Sequence, residues 1–157
     1  MNKIEDLLQV VVEQGDLRRK ESKLLEQAVF DACDQIGAAA LKAGVWGKYM
    51  HVNLGPVDID EIDFIAYLAK IEDPDEKVVV RLAEAWDQEQ QDGFKELEID
   101  FSDEAWTHYA DFRCPSRRLT VKLAHRLEEL AQTLHDRCQQ LADETQQARK
   151  AAESFKL

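Results

Sequence analysis

Near the N-terminus the apolar residues Ile4, Leu7, Leu8 and Val11 recur at i, i+3, i+4, i+7, the spacing of one face of an α-helix. Gly15-Asp16 interrupts this run, and the stripe resumes as Leu25, Ala28, Val29, Ala32, Ile36 and Ala39. Glycine inside a helix costs about 1 kcal/mol relative to alanine. Two helices, or one kinked near Gly15, are therefore expected, with Gly44 and Gly47 as the stop.

The clearest periodicity follows Ser116, which can cap the turn after Pro115. Leu123, Leu127, Leu130, Leu134, Leu141, Ala148, Ala152 and Phe155 recur at helical spacing, with Arg137 and Glu144 interrupting the second heptad column. One helix of about 40 residues would be about 60 Å long, more than a domain of this size spans. It must project, pack along the N-terminal helix or meet another copy. Leu123, Leu127, Leu130, Leu134 and Leu141 are the predicted oligomer seam, most simply of a homodimer.

The middle is less regular. Met50, Val52 and Leu54 alternate with Tyr49, His51 and Asn53, which predicts a half-buried strand ending at Gly55-Pro56. Leu97, Ile99 and Phe101 alternate with Glu98 and Asp100 in the same way. Between them, Asp58 and Glu61 form a capping box, and Asp73-Pro74 followed by Glu76 is a second helix start. Val79, Leu82, Ala83 and Trp86 would form a helical face closed by Gly93. Helices are preferred for 59–71 and 75–91 because Leu82-Ala83-Glu84-Ala85 has high helix propensity. Val78-Val79-Val80 speaks for strand. A short helix is expected from Ser102, with Ala105, Trp106 and Tyr109 on one face.

The expected fold is mainly α with a small β element. Long N- and C-terminal helices (1–44 and 113–157) pack together around a mixed acidic middle (45–112) in a single domain. The alternative is an α+β chain, a four-stranded meander clasped by the two terminal helices.

The chain has 157 residues, 45% apolar and 33% charged, enough for one modest core. No apolar stretch approaches the roughly 20 residues of a membrane span. Acids stand where a signal peptide would be basic, so a cytoplasmic location is expected.

Charge changes the picture. The net charge is −12, and it is unevenly placed. Residues 1–57 carry 7 basic and 8 acidic side chains, residues 58–111 carry 4 and 18, and residues 112–157 carry 9 and 6. Asp58, Asp60, Glu61, Asp63, Asp73, Asp75 and Glu76 fall within nineteen residues and are the predicted partner-binding set. Like charges this close repel, and a basic partner relieves that repulsion. Such a partner could itself be a nucleic-acid-binding protein whose channel the carboxylates fill in place of phosphates. Direct nucleic-acid binding is not expected, with Arg113, Arg117 and Arg118 read as the basic cluster. Arg117 and Arg118 are expected to hold the C-terminal helix against the acidic middle.

Motifs for chemistry are thin. Cys33, Cys114 and Cys138 form neither a disulfide framework nor a zinc ribbon. His135 and Cys138 share a helix face without two further ligands. Asp58-Ile59-Asp60 opens like an EF-hand but has Asp63 where glycine is required. Cys114 beside Arg113, Arg117 and Arg118 could be an activated thiol, but no general base is evident. No cofactor, metal or catalytic residue is therefore expected. The functional expectation is a non-enzymatic acidic protein that docks on a basic protein as inhibitor or adaptor. A small enzyme with a dispersed carboxylate and His108 site, and a structural helical oligomerisation module, are the alternatives.

Overall fold

The computed structural model describes residues 2–56, 63–72, 75–85, 94–100 and 116–155. Helix α1 spans Lys3–Ala43, a single run of 41 residues and about 60 Å. The Asn2 side chain caps it, accepting from the Glu5 N–H at 2.8 Å. Gly44 ends it in the left-handed region, φ 73°, where a side chain would be strained. The expected break at Gly15 is absent, because about 1 kcal/mol for one glycine is too little to interrupt a helix carried on by Glu13, Gln14 and Leu17 to Lys20.

Four strands follow: β1 (Gly47–Pro56), β2 (Asp63–Ile71), β3 (Lys77–Ala85) and β4 (Phe94–Asp100). They pair antiparallel in chain order, a meander. The chain is thus mainly α with one antiparallel sheet, and the helical reading of 59–71 and 75–91 is overturned where these segments are described, over 63–71 and 77–85. The reason is burial on both faces. On one face Phe64, Ala66, Leu68, Val78, Val80 and Leu82 join the main core; on the other Ile65, Tyr67, Ala69, Val79 and Ala83 form a second cluster. A strand buried on both faces loses the polar alternation that would identify it. β1 keeps its alternation, with Met50, Val52 and Leu54 buried as expected. The capping positions Asp58, Glu61, Asp73 and Pro74, Gly93 and the helix expected from Ser102 lie outside the described residues.

The C-terminal run is broken in two, α2 (Ser116–Ala124) and α3 (Leu127–Glu153), at a turn through His125 and Arg126. Leu119 and Leu123 of α2 and Leu130 and Leu134 of α3 all enter the main core, beside Val29, Cys33 and Ala40 of α1. The leucines predicted as an oligomer seam are therefore largely taken up by one chain. Leu123 and Leu130 are fully buried, Leu134 nearly so, and Leu127 and Leu141 pack half-buried against the same core.

Helix α1 lies on β3 and α3 on β1. At Gly37 the approach is so close that a Cβ would overlap the Val78 carbonyl oxygen. A Cβ at Gly15 would meet nothing within 4 Å. The same substitution in the same helix is thus expected to act with opposite signs. Gly37→Ala should lower stability by about 1–3 kcal/mol through overpacking, and Gly15→Ala should raise it by up to about 1 kcal/mol. Chemical-denaturation midpoints measure both. A Gly37→Ala chain as stable as the parent would mean that α1 does not rest on β3 there.

Candidate interaction surfaces

The first surface follows from the length of α1. Its buried residues are Val29, Cys33, Gly37 and Ala40, all in the second half. In the first half Ile4, Leu7, Leu8, Val10, Val11, Val12, Leu17 and Leu24 are each at least 50% exposed. At 100° per residue, Ile4, Leu7, Leu8, Val11 and Gly15 continue the face that later carries Val29, Cys33 and Ala40. Apolar segments thus lie on one face at both ends of the helix, interrupted between Val11 and Leu25 by Gly15, Arg18 and Ser22, and the body covers the C-terminal one. Apolar side chains exposed together on one face in this way make the arm a candidate interaction surface.

The second surface is a cavity of about 700 Å³ where this arm meets the body. Leu25, Val121 and Pro56 supply apolar lining, with Ser22 beside them; Arg18, Arg118 and Lys122 supply positive charge against Glu21. Lys122 Nζ is fixed there by donating to the Pro56 carbonyl at 2.9 Å. Arg19, Lys20 and Lys23 extend the basic surface along α1. Sequence reasoning missed this patch by counting only Arg113, Arg117 and Arg118. The signal was four cations within residues 18–23. What the sequence could not show is that α2 brings Arg118 and Lys122 to the same place.

A second cavity joins Ala43, Gly44 and Val45 to Cys138, Leu141 and Thr145. Together the two cavities fix the direction of the helices. α2 and α3 run along α1 in the same sense, from residue 22 beside 122 to residue 43 beside 141. The start of α1 therefore projects at one pole and the end of α3, with Phe155 87% exposed, at the other.

The predicted partner-binding acids are divided. Asp63 opens β2, and its carboxylate accepts from Asn53 Nδ2 at 3.3 Å. Asp75 and Glu76 are exposed between β2 and β3, and Glu76 pairs with Lys70 at 2.6 Å. Nine residues of strand, about 26 Å, separate these two sites. Asp58, Asp60, Glu61 and Asp73 lie outside the described residues. Lys70 also stands over the Trp46 ring at 4.7 Å, and its hydrogen bond to Glu76 lifts its pKa above the usual lysine value.

Among the described residues no three His, Cys, Asp or Glu side chains converge as a metal would require. His135 instead bonds Asp136 at 3.1 Å, and hydrogen bonds from His135 and Gln132 lower the Asp136 pKa. Cys33 is buried, and desolvation, with the Asp34 charge adding to it, pushes its pKa from about 9 up to about 12. It is an inert core thiol. Cys114, Arg113 and the Arg117 side chain lie outside what is described.

The folded state holds the Cys33 proton to about pH 12, whereas the unfolded chain releases it near pH 9. Its contribution is complete below pH 9 and is lost as pH rises towards 12, by at most about 1.4 kcal/mol per pH unit. Cys33→Ala should therefore lose less stability than the parent across that window. Denaturant unfolding at pH 8, 9 and 10 tests this; parallel pH profiles would refute it.

Compared with known proteins, the chain matches no family model, no curated protein and no solved structure.

Proposed function

We propose that the protein is a non-enzymatic interaction protein that self-associates through its helices and presents its acidic segment to a basic protein partner, as inhibitor or adaptor. The observation that carries the reading is the projecting first half of α1. It exposes large apolar side chains at i, i+3, i+4 and i+7, the pattern by which one helix recognises another. Because the body leaves this stripe uncovered, a second helix there removes apolar area from water at about 25 cal/mol per Å².

Light scattering coupled to gel filtration tests self-association. The 18.0 kDa chain is expected to run as a dimer at about 100 µM. Leu8→Asp should return it to the monomer, and at about 1 µM, where the parent is also monomeric, the two should melt alike, since Leu8 is 59% exposed and outside the core. A parent chain that stays monomeric would overturn the reading.

A second surface is supported by the charge of residues 58–111 and by the exposure of Asp75 and Glu76 at the turn between β2 and β3. The separation of these acids from Asp63 favours a small basic epitope over a long imitation of a nucleic-acid strand. A lysine- and arginine-rich peptide is the probe. Its affinity should fall between 0.1 and 1 M salt, as the Debye length shrinks from about 10 Å to about 3 Å. Asp75→Asn with Glu76→Gln should weaken it several-fold at low salt. Binding indifferent to both changes would return these acids to ordinary solvated surface.

A further inference from the structure

We infer that two copies pair through the first halves of α1 in antiparallel orientation, the acidic tip of each arm docking at the basic cavity of the other. This rests on the self-association proposed above and specifies its surface and geometry.

Four observations converge on it. The uncovered stripe Ile4, Leu7, Leu8, Val11 and Gly15 lies on the same face of α1 as Ser22 and Leu25 of the cavity. A helix laid along that stripe is therefore led to the cavity mouth, where α2 begins.

Charge then chooses the direction. Residues 2–13 of the arm carry one basic and three acidic side chains, Glu5 and Asp6 among them. Residues 14–24 carry four basic and two acidic side chains, with Arg18 and Arg19 among the cations. Parallel arms would set acid against acid and base against base. Antiparallel arms bring the acidic tip of each copy, with Glu5 at the edge of the seam and Asp6 adding charge from the outer face, beside Arg18 and Arg19 of the other, where Arg19 would exchange its own Asp16 for the partner's carboxylate.

The register agrees with the packing. When residues whose numbers sum to about 23 face each other, Glu5 opposes Arg18, Leu8 opposes Gly15 and Val11 meets Val12 near the two-fold axis. Gly15 is a helix-interior glycine with nothing near it in its own chain, and it leaves a bare place for the Leu8 side chain.

The reach also agrees. In this register Asn2 lies opposite Glu21, so Ile4 and Glu5 arrive beside Arg18, at the edge of the cavity that Arg118 and Lys122 also line. The contact is isologous and closes on itself as a dimer. A seam of about 15 residues is a footprint of about 22 Å by 10 Å, below the roughly 800 Å² per partner of a standard interface. The pairing is therefore expected in the micromolar range, populated at 100 µM and dissociating towards 1 µM.

Charge exchange tests the arrangement. One chain carries Glu5→Arg with Asp6→Arg, and a second carries Arg18→Glu with Arg19→Glu. Circular dichroism melts at about 1 µM, where the parent has dissociated, should match the parent, because all four sites lie outside the core. By sedimentation equilibrium each exchanged chain alone should dimerise at least tenfold more weakly than the parent. An equimolar mixture should recover the dimer, since both contacts of the antiparallel pair are again between opposite charges.

Exchanged chains that dimerise like the parent would overturn the antiparallel arrangement, because parallel arms repel equally before and after the exchange. Exchanged chains that weaken without recovery on mixing would overturn it too. A parent chain monomeric at 300 µM would instead overturn the self-association on which the arrangement rests.

Discussion

The seating of α1 on β3 at Gly37 is the constraint on which the molecule depends. With no Cβ at that position the helix backbone comes down onto the Val78 carbonyl, and Val29, Cys33 and Ala40 on the same face reach the sheet. That single line of contact fixes where α2 and α3 can lie, since both must fill the space left between α1 and β1. It also fixes where α1 stops being covered. A helix of 41 residues on strands of seven to ten residues must overhang. The overhang falls at the N-terminus because the small residues Gly37 and Ala40 are near the C-terminus.

The overhang is where chemistry and geometry meet. Its apolar side chains are no more hydrophobic than those in the core, but no described residue covers them. Opposite charges lie at the two ends of the arm, so the surface is self-complementary only when turned end for end. The protein is strongly acidic as a whole, yet the base of the arm is basic, and α2 adds Arg118 and Lys122 to it. In the proposed dimer, long-range repulsion between two such molecules would act against short-range attraction between their arms. The balance should shift towards association as salt screens the former over longer distances than the latter.

What could be read from the sequence depended on how many faces of an element are buried. β1 touches the core on one face, and Met50, Val52 and Leu54 announced it by alternation. β2 and β3 are buried on both faces, so Phe64-Ile65-Ala66-Tyr67-Leu68-Ala69 reads as an unbroken apolar run, and propensity tipped it wrongly to helix. The N- and C-terminal helices were legible from their periodicity. The turn at His125 and Arg126 was not, because no glycine or proline marks it. The seam leucines were correctly seen as apolar, but Leu123, Leu130 and Leu134 turn into the chain's own core, since periodicity reports that a face is buried and never against what. The basic cavity is made by residues about 100 positions apart, which only the fold brings together.

The core also draws on both ends of the chain, from Val29 to Leu134. The meander can form early, because its strands are neighbours in sequence and local pairings close quickly. Its apolar faces cannot be covered by α2 and α3 until the last third of the chain has been made. During synthesis the protein therefore passes through a stage in which double-faced apolar strands lie open with only α1 to cover them. That is the stage at which a slowed ribosome or a truncated product would aggregate. The dense acids flanking those strands would then serve the nascent chain as well as the finished one, keeping open strands of neighbouring chains apart.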